Sequence, residues 1–525
     1  MTEEPAPTGV LVLGFDAANP DLLRRWAADG TLPNLQALME RGLVGSTRSL
    51  EGFIHSTWPS FCTGVNPARH SYHYITQVKP GTYDYAIQGV RHETFWTRLS
   101  RAGRRLAIFD VPLSEPDPDI NGMHVVDWGV IEQWTTLRTS PASLRERILA
   151  SWGEHPLQDT GDDLRRTTEE HRTLLDVLSR GARTRTAMSC EYLKQGGWDL
   201  FLQIFTESHC AGHNMWHLHD RGHPSYDAAI AASIGDPIRN VYAEIDAAMG
   251  RIIHAAGNAI VLVVSAHGMS HWFGGEFLLP EILYRLGASE RRPAPPPDRG
   301  LRATAIGGAR AIWHLVPRTI RDRVFHLRHR IRRRFRGPRP PPTIDADPAR
   351  SRCFVVRNGH LTAGIRLNLV GREPAGVLAP GPEAEAFVAQ LTADLLAIID
   401  ERTGRPLIQR VRRTRDLYSG NLLGDLPDLL LDWDDAVPTG NSNIAQGAGA
   451  TVRVRSARIG VFEDANHYHR TGDHRIEGLF VAAGPGIQPG TLETAVSVMD
   501  FAPTITKLLG VELPEVDGRP IPGVG

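Results

Sequence analysis

Covalent bracing is scarce in this chain. Its 525 residues hold four cysteines, Cys62, Cys190, Cys210 and Cys353, with no CxxC pair. That excludes a disulfide framework and a cysteine-built metal knuckle. Lysine is nearly missing: Lys79, Lys194 and Lys507 are the only three, so arginine supplies almost all positive charge. Net charge is missing as well, 58 Lys+Arg against 59 Asp+Glu giving −1. A balanced surface gives no global case for binding nucleic acid, and no nucleic-acid module is evident. No apolar run approaches the roughly 20 residues of a membrane span. The first eight residues, Met1 to Thr8, are acidic and lack the basic-then-apolar order of a signal peptide. A soluble, cytoplasmic protein is therefore expected.

What is present is a core. The composition is 41% hydrophobic, an ordinary globular value, and the length is ample for a large interior. Gly9 to Phe15 is a short apolar run without alternation, as expected of a strand buried on both faces. Leu106 to Val111, Asp199 to Phe205, Ala259 to Ser265, Leu426 to Trp433 and Gly478 to Ala483 read the same way. Helical stretches separate them: Asn19-Pro20-Asp21 opens a helix reaching about Ala28, another ends near Gly42, and 160–195 and 236–256 are long and amphipathic. Arg165 and Arg166 are expected to be solvated. Buried strands alternating with helices predict a three-layer α/β/α sandwich around a mostly parallel sheet. No internal repeat is visible, and from residue 352 the α/β pattern resumes. The chain is read as one catalytic domain over 1–525. Residues 288–343 form a proline-bounded insertion within it, in which 318–336 is a basic amphipathic helix. Its arginines suit a solvated surface or contact with an anionic one.

One stretch points to chemistry. In His55-Ser56-Thr57-Trp58-Pro59-Ser60 a hydroxyl residue stands two positions before a proline suited to a first helical turn. The residues before such a proline face free N–H groups and a helix dipole that favour an anion, although Ser and Thr also cap many helices that do nothing else. Metal-capable residues gather at strand ends: Asp16, then Glu207, His209 and His213, then His267, then His474. In open α/β sheets the carboxyl ends of the strands are where ligands bind.

Taken together, Gly14-Phe15-Asp16, Ser56-Thr57-Trp58-Pro59, Thr63-Gly64, Gly212-His213, Ser265 to Met269, His474 to Gly486 and Asp500 to Thr504 resemble the alkaline phosphatase superfamily. They are most similar to its type I phosphodiesterase/nucleotide pyrophosphatase branch. The resemblance implies a metal-dependent hydrolase of phosphate esters, a phosphodiesterase or a phosphatase of a small metabolite. It implies one or two divalent ions, usually zinc. Asp16, Thr57 and His267 would hold one ion, and His209, His213 and His474 the other. Thr57 would attack phosphorus to form a phospho-threonine intermediate.

Two departures accompany the likeness. His209 stands where the family usually has Asp, and Ala266 replaces an Asp ligand beside His267. Glu207, His271 or Asp473 could compensate. The phosphate-binding Asn of the nucleotide pyrophosphatases is not evident, and His73 lies in that region. The alternatives are a non-catalytic relative binding an anionic ligand, a sulfatase and a phosphomutase-type enzyme. Phe61 in place of the sulfatase Arg speaks against the second.

Overall fold

In the computed structural model, residues 9–129, 136–157, 165–293, 343–442, 444 and 449–525 are described. The basic helix expected at 318–336, and most of the insertion, lie outside them.

Nine strands form the central sheet: β1 Val10–Phe15, β2 Leu43–Arg48, β3 Leu106–Phe109, β4 Gly122–Val126, β5 Arg138–Ser140, β6 Leu200–Phe205, β7 Ile260–Ser265, β8 Glu477–Ala483 and β9 Gly490–Ser497. Their spatial order is β9-β2-β8-β7-β1-β6-β3-β4-β5. β1 lies between β6 and β7, parallel to both. β8 runs antiparallel to β7 and β2, and β5 antiparallel to β4; the remaining pairs are parallel.

The unbroken apolar runs follow from this placement. Leu11, Leu13 and Phe15 enter one helical layer while Val10 and Val12 enter the other. Phe201 and Phe205 oppose Leu202 and Ile204 in the same way. A strand covered on both faces has no position that must be polar. The helices beside it start where the sequence says they should. Asn19 accepts hydrogen bonds from the backbone N–H groups of Asp21 and Leu22 and opens α1, Pro20–Ala28.

Two expectations are corrected. Leu429–Trp433 does not join the central sheet. It lies between Thr362–Leu367 and Ile408–Arg413 in a separate four-stranded antiparallel sheet, with Cys353–Val356 at the far edge. That sheet has its own core, including Leu279, Ile282, Ile365, Leu391 and Leu431. Apolar runs of this length look alike in either sheet type. Arg165 is not solvated: it is buried and donates to Asn214 Oδ1 at 2.8 Å. Among the described residues no helix is long and apolar enough to cross a membrane.

Histidine is unusually deep in this fold. Burial lowers the pKa of His70 and His73 to about 3, and that of His124, His171 and His223 to about 4, from an ordinary 6.5. The sign is set by proton uptake. The unfolded chain protonates these rings near pH 6.5 while the folded chain does not, so stability falls as pH drops from there toward 4. Each ring removes about 1.4 kcal/mol per pH unit across that window. Five acting together predict cooperative unfolding between about pH 6 and 4.5. Circular dichroism against pH checks this, and native ellipticity persisting at pH 4 contradicts it.

Candidate metal and phosphoryl site

β1 delivers Asp16 to the carboxyl edge of the sheet. β6 runs into the helix α4, Glu207–His219, with α2 (Thr57–Thr63) and α3 (Thr168–Leu193) preceding it in the chain. His209 and His213, one turn apart, share one face of α4. β7 ends beside His267. A short antiparallel pair then brings the C-terminal part over: Gly268–His271 pairs with Gly472–Arg475, placing Met269 opposite His474 and Ser270 opposite Asp473.

His209, His213 and His474 converge, one nitrogen of each lying within 4.8 Å of the others. The His209 Nδ1–H donates to Asp16 Oδ2 at 2.7 Å, and the His213 Nδ1–H to the Gly472 carbonyl at 2.8 Å. Each Nε2 then carries the ring's lone pair. His209 Nε2 lies 3.2 Å from His474 Nε2, and Arg470 donates to His213 Nε2 at 3.2 Å. Imidazoles held from behind by a carboxylate and a carbonyl, with one nitrogen of each close to the others, suit a borderline divalent cation. Among the described residues this is the one group of three ligand-capable side chains so close together.

Burial, then Arg470 at His213 and the neighbouring rings at His474, pushes both pKa values well below the ordinary range and keeps both rings neutral. Burial would raise the pKa of Asp16, but the His209 charge and hydrogen bond, with His267 and Trp58, lower it on balance. Asp16 therefore acts behind His209. Its Oδ1 accepts from Trp58 Nε1 at 2.8 Å and lies 3.8 Å from His267 Nε2.

The helix begins at Thr57 itself, after a tight turn over Ile54–Ser56, and Pro59 is its third residue. The Thr57 hydroxyl donates back to the Ile54 carbonyl at 2.5 Å and accepts from Ser49 Oγ. Thr57 is buried and does not line the cavity, whereas Ile54, His55, Trp58, Asp16, His209, His267 and His474 do. Trp58, the residue after Thr57, ties this helix start to Asp16, which in turn lies 3.8 Å from His267.

The compensating residues are also placed. Glu207 is buried 3.2 Å from Arg185 and faces away from the cavity lining. His271 Nε2 bonds the Asp435 carbonyl at 3.0 Å. His73 is buried beside Phe53, their rings 6.1 Å apart. Asp473 stays next to the site: its Oδ1 accepts from the His474 N–H at 2.8 Å, and its buried Oδ2 has no partner among the described residues. Nothing in the local sequence singles out His55, yet it lines the cavity, its ring 5.9 Å from the His474 ring.

A doubly covered sheet with Asp16 and the histidines at its carboxyl edge defines a member of the alkaline phosphatase superfamily. The model of the type I phosphodiesterase/nucleotide pyrophosphatase family matches residues 10–284, and the chain belongs to that family. By that membership it is a phosphoric ester hydrolase. No curated protein matches it by sequence. Among solved structures it is similar to alkaline phosphatase PafA (11% identity, 99% of each chain covered, TM-score 0.51). It also matches phosphonoacetate hydrolase from Sinorhizobium meliloti 1021 with phosphonoacetate (14%, 96% of each, TM-score 0.49). A third match is murine ectonucleotide pyrophosphatase/phosphodiesterase 5 (12%, 97% of each, TM-score 0.43). At such identities the likeness concerns the fold alone, and PafA carries it.

Proposed function

We propose that this chain hydrolyses a phosphate ester of a small metabolite in the cavity between His55 and the three-histidine cluster, with one divalent cation per chain. The observation that carries this is the convergence of His209, His213 and His474, two of them oriented from behind by Asp16 and Gly472. All-nitrogen donors favour zinc over magnesium or calcium. Bound there, the cation supplies a Lewis acid for a phosphoryl oxygen. The chain's own residues do the rest. Asp16 fixes the His209 ring, Arg470 brings positive charge beside His213, and Trp58 and Ile54 exclude water from the floor. The cavity measures about 40 Å³, space for roughly three waters, which suits a phosphoryl group and leaves the alcohol portion outside. None of the four cysteines forms a disulfide with another among the described residues, which supports a cytoplasmic, reducing location. Fractionation that finds the protein outside the cytoplasm contradicts that part.

Thr57, the first residue of its helix, is the proposed nucleophile that attacks phosphorus to form a phospho-threonine intermediate, giving up the bond its hydroxyl donates to the Ile54 carbonyl. Thr57→Ala is expected to cut turnover of p-nitrophenyl phosphate or bis(p-nitrophenyl) phosphate about a hundredfold or more while leaving the fold intact, a barrier change of about 3 kcal/mol or more. Turnover within about threefold of wild type in the folded variant removes Thr57 as the nucleophile.

A further inference from the structure

We propose that Arg470 grips the phosphoryl group of the substrate and selects phosphate monoesters, whose double charge it helps to balance, over diesters. The inference rests on the hydrolase reading above and names the ester class.

Three observations carry it. First, the backbone fixes Arg470 against the histidine cluster. The N–H of Thr471, the next residue, donates to the His213 carbonyl at 2.7 Å, and the Thr471 carbonyl accepts from the Trp272 N–H at 2.9 Å. Arg470 is thereby held beside α4, and its Nη1–H reaches His213 Nε2 at 3.2 Å. Second, that nitrogen has one lone pair to give. The His213 Nδ1–H is spent on the Gly472 carbonyl, so Nε2 can accept from Arg470 or hold a cation, and not both. With the lone pair taken, that N–H needs another acceptor, and a phosphoryl oxygen suits the guanidinium fork in charge and in shape. Third, the charge around the cavity fits a dianion. His209 and Ala266 stand where the family usually has Asp, and Asp16 is the one carboxylate lining the cavity among the described residues. The Asp473 charge is met by that of Arg475. Asp16 offsets one charge of a divalent cation, which leaves about one positive charge there and a second on Arg470. A phosphate monoester brings two negative charges and a diester one. The Arg470 charge also reaches the cavity wall: burial and then Arg470 hold the pKa of His55 well below its ordinary value.

The shared lone pair couples two binding events. Arg470 competes with a cation for His213 until an anion draws it off. Phosphate therefore tightens cation binding, and the cation tightens phosphate binding by the same factor.

The test uses the full chain with zinc, inorganic phosphate, p-nitrophenyl phosphate and bis(p-nitrophenyl) phosphate as probes. Arg470→Met and Arg470→Lys are the variants, their fold checked by circular dichroism. Arg470→Met is expected to lose about a hundredfold in kcat/KM on the monoester and less than about fivefold on the diester. Arg470→Lys keeps the charge and loses the fork, and should fall between. Zinc titration gives a readout apart from turnover. Inorganic phosphate should tighten zinc binding by wild type about tenfold. In Arg470→Met that gain should vanish, while zinc binding without phosphate should strengthen. Equal losses on both esters overturn the inference and leave the hydrolase reading standing. So does a phosphate gain in Arg470→Met equal to that of wild type. Wild type that binds zinc and hydrolyses neither ester overturns the hydrolase reading, and the zinc titration then still decides whether Arg470 grips phosphate.

Discussion

His213→Ala is expected to strip the bound cation and cut turnover at least about a thousandfold, a loss of about 4 kcal/mol in transition-state stabilisation. The wild-type chain should retain about one ion through dialysis, and the variant none. The cause is geometric. Three nitrogens within 4.8 Å of one another make a site. Two do not hold a dialysable cation against water, and loss of the ring also frees Arg470 from its 3.2 Å contact. His271→Ala is the matched control. That ring bonds the Asp435 carbonyl beyond the cluster, so its removal should change neither quantity. Elemental analysis beside steady-state kinetics checks the pair. A His213→Ala protein that keeps both metal and activity refutes the three-histidine site. Two ions in the wild type would mean that Asp16 and His267 recruit a further ligand despite Ala266.

The largest effect on stability is expected at Arg185→Met. Arg185 of α3 lies fully inside the protein, paired with Asp110 and, at 3.2 Å, with Glu207. Asp110 also accepts from the backbone N–H groups of Trp128 at 2.8 Å and Gly129 at 3.0 Å. The arginine thus ties the loop after β4 to the first residue of the helix that carries His209 and His213. Methionine fills similar volume but leaves two buried carboxylates without their cation, at a cost of about 3–5 kcal/mol. Asp110→Asn and Glu207→Gln in the same chain should recover more than half of it, because the penalty is that of unpaired charge. Urea unfolding at constant slope measures both. An Arg185→Met midpoint equal to that of wild type means the network does not hold these elements together.

Much of the fold was legible because the signals are local. Runs such as Val10–Phe15 and Ile260–Ser265 declare strands buried on both faces, and Asn19-Pro20 declares a helix start. The ligand set was half legible. Asp16, His209, His213, His267 and His474 all reach one edge of the sheet, since each follows a strand or a helix at that edge. Their division between two ions was not legible. Whether Asp16 ligates a metal or steadies His209 depends on a 2.7 Å contact across 193 residues of chain. The antiparallel core around Leu431 and the buried position of Arg165 also escaped a local reading, because partners distant in sequence decide both.

The sequence by itself determined the layered α/β/α architecture, the family and the identity of the polar residues at the strand ends. These depend on hydrophobic period and on residue type, which every stretch of chain carries within itself. Tertiary structure alone decided which of those residues face one another. Pairing Gly268–His271 with Gly472–Arg475 closes the histidine cluster. The turn at Ile54–Ser56 places His55 in the cavity lining and binds the Thr57 hydroxyl to the backbone three residues earlier. A side chain's role at such a site follows from where its lone pairs point. That direction is fixed by contacts made only once the chain has folded.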